Sequence, residues 1–404
     1  MELRGKYSTA KVFAKEVEEG ARQQIIRLLD QDFVVGSKVR IMPDVHEGMG
    51  CVIGFTADLG DKVIPNIVGV DIGCGMLTVE LKDLDIDLPT LDKIIYNKIP
   101  AGRNTHKERK YDYPRLRDLY CLRELRELKR VERSIGTLGG GNHFIEVGID
   151  EDNNKYLVIH SGSRNLGKQV ADYYQRLAIE LCSGKEDFFL RREELIRKYK
   201  EEGRRKELKK AIKELEKEYK GLEPRYPKDL CYLTGRYREE YLHDMEICQE
   251  YASINRKVMA EIILYALFNK GLEDFQYFET IHNYINFKDN IIRKGAISAY
   301  EGEKILIPIN MRDGSILAVG KGNPDWNYSA PHGAGRLMSR NEAKADLDLE
   351  EFKKTMEGIY TTSVKKSTLD EAPFAYKPME EIIESIGDTA EIISIIKPIY
   401  NFKA

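Results

Sequence analysis

Several features that mark other protein classes are scarce or missing in this chain of 404 residues. No apolar run approaches the ~20 residues that a membrane span needs, and the first 20 residues contain no apolar signal core, so we expect a cytoplasmic protein with no membrane partner. The six cysteines show no paired spacing, which argues against a disulfide framework and for reduced thiols. With a net charge of only −3, any nucleic-acid site must be a local patch.

Two common site motifs are also missing. The chain has no G-x-x-x-x-G-K-S/T segment, so a nucleotide would have to bind without a P-loop. It has no G-x-S-x-G segment either, which excludes a serine nucleophile of the elbow type.

The residues that are present describe a soluble chain with enough apolar side chains for a large core, because 42% are hydrophobic and 32% are charged. Length alone suggests two to three domains. However, polar clusters are spread from position 44 to the last residues, and no linker, repeat or low-complexity tract divides the chain. We therefore predict one α/β (α+β) domain over 1–404, with a central β core, surrounding helices and a charged helical insertion at about 185–250.

Two stretches carry most of the charge. Phe188 to Gly221 is rich in Arg, Lys and Glu with apolar residues at threes and fours, which predicts a long helix or a helix pair broken near Gly203. A basic arm that faces RNA is one interpretation, but the interleaved Glu residues favour a solvated surface helix. Arg103 to Arg133 is interpreted in the same way, with a phosphate-binding role as the weaker alternative.

The segment G-V-D-I-G-C-G-M at 69–76 combines a hard ligand, Asp71, with a soft one, Cys74. The glycines around them allow unusual backbone angles and close approach. A carboxylate and a thiolate on such a turn could bind a metal ion. Taken alone, the segment is more simply explained as a tight turn with a buried cysteine.

The histidines favour the metal interpretation. Only seven occur, and four of them (His143, His160, His282 and His332) stand at the end of a predicted strand or beside glycine. The first three, together with Asp71 and Cys74, would suffice for a site of one or two metal ions, with Cys74 able to bridge two ions. Ligand softness alone allows Zn, Mn, Fe or Co.

His332 differs from the other three because it lies in the loop His-Gly-Ala-Gly-Arg. The glycines leave the ring open to a ligand, and Arg336 could hold a phosphate with its planar fork. This suits a histidine nucleophile that attacks phosphorus, although a metal ligand or a structural loop histidine stays open. Asp44, His46 and Glu47 form a further polar group, which we predict on a loop because Pro43 should end the preceding strand at Met42.

The motifs MPDVH, GVDIGCGM, GGGNHFIEV, HSGSRNLG, YASINR, HNY, RKGA, HGAGRLMSR and DEAPFAYK, with Lys403, resemble the RtcB family of RNA-splicing ligases from about residue 40 to the C-terminus. The resemblance implies an RtcB-like fold and a ligase that depends on GTP and Mn²⁺. Such enzymes join an RNA 3′-phosphate, or a 2′,3′-cyclic phosphate opened first, to a 5′-hydroxyl, and an activating protein partner is a further expectation.

Matched position by position, the resemblance assigns the metal ligands to Asp71, Cys74, His143, His160 and His282, with Cys74 shared by two Mn²⁺ ions and with Zn²⁺ or Co²⁺ as substitutes. It assigns the covalent histidine–GMP to His332, the late steps to Asp44 and RNA contacts to Arg164 and Arg336. The positions that match nucleotide-binding residues are Asn142, His143, Phe144, Ile145, Glu146, His282, Asn283, Pro308, Ile309, Asn310, Met311, Ser315, His332, Gly333, Ala334, Gly335 and Lys403.

One stretch departs from the family pattern. Where the family usually has P-G-S-M-G-T before the serine that matches Ser315, this chain has Pro308 followed by Ile309, Asn310, Met311 and Arg312. We interpret the chain as a divergent paralogue, whose nucleotide preference could differ. The alternatives to a competent ligase are an enzyme that guanylylates 3′-phosphate ends in repair with weak joining, and a non-catalytic, metal-stabilised nucleic-acid-binding protein.

Overall fold

The structure of the chain is a computed structural model that describes residues 1–403. It is a mixed α/β structure, in agreement with the predicted fold class. The strands are β1 Glu2–Arg4, β2 Thr9–Val12, β3 Val39–His46, β4 Ile53–Ala57, β5 Gly75–Lys82, β6 Phe144–Ile149, β7 Lys155–Ser161, β8 Gln276–Ile281, β9 Asn283–Ile285, β10 Ile292–Lys294, β11 Ala296–Ser298, β12 Lys304–Asn310, β13 Gly314–Gly320, β14 Ser329–Pro331 and β15 Ala390–Lys403. The helices are α1 Glu19–Leu29, α2 Pro65–Val68, α3 Leu88–Lys98, α4 Leu128–Glu132, α5 Arg164–Cys182, α6 Glu186–Glu201, α7 Arg205–Glu218, α8 Gly235–Phe268, α9 Arg340–Asp346, α10 Leu349–Thr355 and α11 Met379–Ile386.

Three sheets organise these strands. A six-stranded sheet has the order β1-β2-β3-β4-β10-β9, a seven-stranded sheet has the order β12-β13-β15-β6-β7-β5-β8, and β11 pairs with β14. The seven-stranded sheet curls so that its outer strands approach each other, and the amide of Leu306 in β12 donates to Oγ1 of Thr280 in β8 at 3.3 Å. The long helix α8 packs across β5 and β7.

The strand register explains why distant motifs meet at one edge of the seven-stranded sheet. Gly75 at the start of β5 pairs with Ser161 at the end of β7 and with Ile281 at the end of β8. Phe144 at the start of β6 pairs with His160. Side chains at the ends of four neighbouring strands therefore converge, although their sequence positions span more than a hundred residues.

Pro43 does not end its strand, and the prediction that it does was wrong. Strand β3 continues through Pro43 to His46, but its pairing with β4 shifts between Ile41 and His46. The shift creates a bulge that accommodates a residue without a backbone N–H. The bulge presents Asp44 as a fully buried carboxylate.

The charged stretch after α5 forms a helical hairpin, α6 and α7, with the break at 202–204. Only Phe188, Phe189 and Leu215 of these two helices are buried. Helix α8, which follows, has a different character because it buries Tyr251, Ala252 and many other residues in the core. Among the helices of residues 1–403, none combines the length and apolar character of a membrane span.

Candidate active site

Two groups of candidate metal ligands lie at the convergent strand ends and share Cys74. One group consists of Cys74, His160 and His282, and the other of Asp71, Cys74 and His143, with ligand atoms within 4.8 Å of one another in each. The Sγ atom of Cys74 is 3.3 Å from Nε2 of His160 and 3.4 Å from Nε2 of His143. Ligands around a tetrahedral ion with ordinary bond lengths lie about 3.5 Å apart. The spacing therefore suits metal binding.

The proton positions on the rings also suit metal binding. Nδ1 of His143 is 2.8 Å from the carbonyl of Leu138, and Nδ1 of His160 is 3.2 Å from the carbonyl of Asn142. Because a carbonyl can only accept, both Nδ1 atoms carry a proton, and Nε2 of the neutral His160 ring keeps a lone pair. Nε2 of His143 is 3.0 Å from Oδ2 of Asp71, so a ligand nitrogen and a ligand oxygen of the second group lie side by side. The lone pair of His160 points into its group, where Nε2 of His160 is 3.1 Å from Nε2 of His282. The tautomer of His160 is therefore the one that a metal ligand bound through Nε2 needs.

The burial of the candidate ligands also suits metal binding. It lowers the pKa of His160 and of His282 well below the ordinary value, so both rings are neutral, as ligands must be. It also raises the pKa of the Cys74 thiol, and the neighbouring Asp71 carboxylate adds to this. A bound metal ion would reverse that effect, because coordination deprotonates a thiol. Oδ1 of Asp71 is buried with no hydrogen-bond partner in the described part of the chain. The residues thus fit one or two divalent transition-metal ions.

His332 directly follows strand β14 of the two-stranded sheet and lies against this cluster. Its ring stacks on His282 with a centroid distance of 4.7 Å. Nδ1 of His332 is 2.7 Å from Oδ2 of Asp44, and the backbone amide of His332 donates to the same oxygen at 3.1 Å. The carboxylate thereby fixes the ring and the proton on Nδ1. Nε2 remains as the free nitrogen, since it makes no hydrogen bond within residues 1–403.

A cleft with about 760 Å³ of empty space, part of it open to solvent, adjoins His332. Most of the residues that match nucleotide-binding positions line it. These are Asn142, Phe144, Glu146, Pro308, Ile309, Asn310, Met311, Ser315, His332, Gly333, Ala334, Gly335 and Lys403. Strand register again explains the grouping, because Lys403 of the terminal strand β15 pairs with Phe144 and Asn401 pairs with Glu146.

Four residues in the nucleotide set do not line the cleft. His143 and His282 belong to the metal groups behind it. The side chain of Ile145 points away, into an apolar cluster on the opposite face of β6. Asn283 lies beside the Asp71 turn instead, where its Nδ2 donates to the carbonyl of Asp71 at 3.3 Å.

The cleft contains several polar atoms that the protein leaves without partners. Oε1 of Glu146, Oγ of Ser315 and Oδ1 of Asn401 are buried and have no hydrogen-bond partner within residues 1–403. Buried polar atoms of this kind are rare and need an explanation, and a polar ligand in the cleft would provide one. Burial raises the pKa of Glu146 to about 8, although a hydrogen bond from Asn401 and the charge of Lys403 oppose this.

The departing stretch forms the tip of the β12–β13 hairpin. Ile309 lines the cleft, but its side chain packs in the apolar cluster that includes Ala334. Asn310 caps the turn itself, since its Oδ1 accepts from the amides of Arg312 and Asp313, each at 2.9 Å. The side chains of Ile309 and Asn310 therefore pack in the core and cap the turn, and the hairpin still lines the cleft.

The two predicted RNA-contacting arginines differ in their surroundings. Arg336 lines the cleft and donates to the carbonyls of Asp370 and Met338 and to the hydroxyl of Tyr376. Arg164 lies on the other side of the metal groups and donates to the carbonyl of Gly102 at 2.8 Å. The structure thus places Arg336 with the nucleotide-matching residues and Arg164 apart from them.

Several cleft residues were missed in the sequence. They are Gly314, Arg340, Tyr376 and Asn401. His46, which the sequence singled out with Asp44 as part of a polar group, lines the cleft as well. Asn401 had a usable signal, because it stands two residues before Lys403 and strand alternation puts both side chains on one face. His46 is a neutral ring in this cleft, since burial lowers its pKa to about 4. Glu371 was missed too, although it forms a buried ion pair with Lys403. Burial alone would raise the pKa of Glu371, but Lys403 and Arg340 outweigh it and lower the value to about 2.

Comparison with known proteins agrees with this arrangement. The sequence model of the family described as "tRNA-splicing ligase RtcB" matches residues 24–123 and 120–404. The RNA-splicing ligase RtcB of Escherichia coli K12 is 29% identical over 432 residues, which covers 95% of this chain and 94% of that protein. The tRNA-splicing ligases RtcB of Nanoarchaeum equitans and Archaeoglobus fulgidus are each 26% identical, over 89% of this chain and 86% of each relative. With family motifs along nearly its whole length and a shared cysteine between two ligand groups, the chain belongs to the RtcB family as a divergent member.

Proposed function

We propose that this protein is a GTP- and Mn²⁺-dependent RNA ligase that joins 3′-phosphate or 2′,3′-cyclic phosphate ends to 5′-hydroxyl ends. The observation that carries the proposal is the state of His332. Its Nδ1 is bound by Asp44 at 2.7 Å, its ring stacks on a candidate metal ligand, and its free Nε2 adjoins the cleft. A histidine oriented in this way by a carboxylate is a competent nucleophile. The names of the relatives, which are RNA-splicing and tRNA-splicing ligases, support the same substrate class.

In the first step, the Nε2 lone pair of His332 attacks the α-phosphorus of GTP. An N–P bond forms, the bond from the α-phosphorus to the bridging oxygen breaks, and pyrophosphate leaves. The ring gains positive charge in this step, and the hydrogen bond from Nδ1 to Asp44 stabilises that charge. Asp44 therefore contributes to the first step, in addition to the late steps for which it was predicted.

In the second step, an oxygen of the RNA 3′-phosphate attacks the same phosphorus and the N–P bond breaks, which transfers GMP to the RNA end. The 5′-hydroxyl oxygen then attacks the RNA 3′-phosphorus, loses its proton and displaces GMP. A cyclic phosphate must first be opened by water. Two Mn²⁺ ions bound by Asp71, Cys74, His143, His160 and His282 would neutralise phosphate charge during these transfers.

The unpartnered atoms of Glu146, Ser315 and Asn401 support the cleft as the nucleotide site. A guanine base offers donors that match the unpartnered carboxyl oxygen of Glu146 and amide oxygen of Asn401, and Lys403 and Arg340 add positive charge for phosphates. Arg336 lies close enough to this site to contact nucleotide or RNA phosphate. A cytoplasmic location, the single-domain organisation and an activating protein partner stay predictions from the sequence.

Labelling with GTP that carries radioactive α-phosphate tests the proposal. The purified protein should become labelled in the presence of Mn²⁺, with the acid lability of a phosphorus–nitrogen bond. His332→Ala should abolish the label, whereas the matched variant His243→Ala should retain it, because His243 is a half-buried residue of α8 that belongs to neither metal group and does not line the cleft. An unlabelled wild-type protein, or a labelled His332→Ala variant, would contradict the proposal. Addition of RNA with 3′-phosphate and 5′-hydroxyl ends then distinguishes joining from mere guanylylation of the 3′ end.

A further inference from the structure

Helix α8 carries two fully buried polar residues, Asn255 and Arg256, on the face that packs against the metal groups. Side chains of this kind are seldom buried unless their hydrogen bonds are met. Neither residue is one of the candidate ligands or lines the cleft. Their partners are backbone groups and two side chains, those of Ser161 and Glu279, on the segments beside the ligands, and only Nη2 of Arg256 has no partner within residues 1–403.

Arg256 connects three of these segments. Its Nη1 donates to the carbonyl of Gly73, which directly precedes Cys74, at 2.9 Å. The same nitrogen donates to the carbonyl of Ser161, which directly follows His160, at 2.8 Å. Its Nε donates to Oε1 of Glu279 at 2.9 Å, on the strand that ends beside His282. One guanidinium thus holds the chain next to all three ligands of one metal group.

Asn255 holds the backbone segment that precedes His143. Its Oδ1 accepts from the amides of Gly136 and Thr137 at 2.8 and 3.0 Å, just before the glycine loop. Its Nδ2 donates to Oγ of Ser161 at 3.0 Å and to the carbonyls of Thr137 and Gly162 at 3.2 and 3.1 Å. The Ser161 hydroxyl in turn donates to the carbonyl of Leu138 at 2.7 Å. The carbonyl of Leu138 also accepts the Nδ1 proton of His143. Asn255 therefore stabilises the group that fixes the His143 tautomer.

The approach of the cysteine turn to α8 requires a glycine. Gly73 has φ +71°, and a Cβ atom there would lie 2.8 Å from Cα of Gln249. The turn can contact the helix closely only because no side chain intervenes. This close approach allows the Arg256 guanidinium to reach the carbonyl of Gly73.

We propose that Asn255 and Arg256 are positioning residues of the metal centre. Arg256 fixes the segments of all three ligands in the Cys74, His160 and His282 group, whereas Asn255 alone also fixes the carbonyl that orients His143 of the other group. The planar fork of arginine matters here, because a lysine ammonium cannot reach two carbonyls and a carboxylate in the same fixed directions. The inference rests on the proposed metal centre but not on the proposed chemistry at His332.

The test is a titration of the metal-free full-length protein with Co²⁺, whose absorption reports the number of bound ions and ligation by a thiolate. Arg256→Lys should lower Co²⁺ affinity by about 10- to 100-fold, the usual effect of losing a group that orients ligands. Arg293→Lys is the matched control, because Arg293 is equally buried but donates to Ser329 and Asn327, away from the ligand segments. It should bind Co²⁺ with nearly wild-type affinity.

Asn255→Asp keeps the acceptor for the amides of Gly136 and Thr137 but replaces the donating Nδ2 with an oxygen. It should lower the affinity for the Co²⁺ ion of the Asp71, Cys74 and His143 group by about tenfold or more, and lower the affinity for the other ion less, with its thiolate absorption retained. If Arg256→Lys does not fold, as judged by circular dichroism, the Asn255→Asp result decides.

Wild-type affinity and spectra in both variants would overturn the inference, as would an equal loss in Arg293→Lys. A wild-type protein that binds two Co²⁺ ions but is never labelled by GTP would refute the proposed function while leaving this inference intact.

Discussion

At the scale of single residues, the cleft contains a carboxylic acid in an unusual state. Burial raises the pKa of Glu146 from an ordinary value near 4.5 to about 8, so the ligand-free folded protein holds a proton there at neutral pH. Between these two pH values the unfolded chain is ionised at this position and the folded protein is not. Since the folded state binds more protons, its stability must fall as pH rises through this window.

Glu146→Gln should remove this pH dependence. The difference in melting temperature between the variant and the wild type should grow in favour of the variant from about pH 5 to about pH 8, because the wild type loses at most about 1.4 kcal/mol for each pH unit. The measurement is thermal unfolding of the nucleotide-free protein at several pH values. Glu391→Gln, at an exposed position, is the control and should show a constant difference. A constant difference for Glu146→Gln as well would contradict the assigned proton.

The residues of the site could be predicted to different extents. The candidate metal ligands and His332 stand beside glycines or at strand ends, and such local signals survive in a single sequence. Glu371 and Arg340 have no such signal. Their importance arises from a buried charge network with Lys403 that exists only after folding. Asp44 was predicted as a site residue, but its contact with His332 joins positions 288 residues apart and no spacing rule contains it.

At the scale of elements, the loop that carries His332 passes unusually close to the β3 bulge. Gly335 has φ +79°, and a Cβ atom there would lie 2.5 Å from the carbonyl oxygen of Asp44. Two requirements therefore coincide at one glycine, a left-handed backbone and space for the neighbouring strand. Together they keep Asp44 within hydrogen-bond distance of the His332 ring.

Gly335→Ala should separate the two elements. We expect guanylylation of His332 to fall by about 100-fold or more, because the carboxylate no longer orients the ring. Gly302→Ala is a matched control, since Gly302 has φ +78° and open space around it. Both variants should lose about 1–2 kcal/mol from the left-handed backbone, measured by urea unfolding, but only the first should lose labelling by GTP. Equal labelling rates in the two variants would show that the close approach is unimportant.

The elements themselves were predictable where the pattern is local. The helix pair broken near Gly203 follows apolar spacing, and it occurs. The end of the strand at Pro43 was mispredicted, because tertiary pairing with β4 maintains the strand on both sides of a bulge. The rule that proline ends a strand considers one residue at a time, so it takes no account of the pairing with β4 that maintains the strand here.

At the scale of the whole molecule, the order of the strands decides which motifs meet. The terminal strand β15 lies between β13 and β6, and this placement pairs Lys403 with Phe144 and Ile396 with Ser315, so that Phe144, Ser315 and Lys403 line one cleft. Strand order of this kind depends on long-range packing and cannot be derived from periodicity. The resemblance to a known family could supply the grouping of residues, but it could not supply the distances that make His332 free at Nε2 and bound at Nδ1.

The α6–α7 hairpin is the part of the molecule most separate from the site. None of its residues lines the cleft or belongs to a metal group. Its two ends are adjacent, since the amide of Arg225 donates to the carbonyl of Cys182 at 3.1 Å. A few Gly and Ser residues could therefore replace 185–223 without moving α5 or α8.

This deletion should leave GTP labelling of His332 within about threefold of the wild type, because distant and independent sites have nearly additive effects. It should lower the melting temperature, since the buried contacts of Phe188, Phe189 and Leu215 are lost. The deletion variant with His332→Ala is the control for specific labelling. A deletion variant that is folded by circular dichroism but unlabelled would show that the hairpin acts on the site. Retained labelling combined with reduced RNA binding would instead assign the hairpin to substrate capture, the alternative that its interleaved Glu residues disfavour.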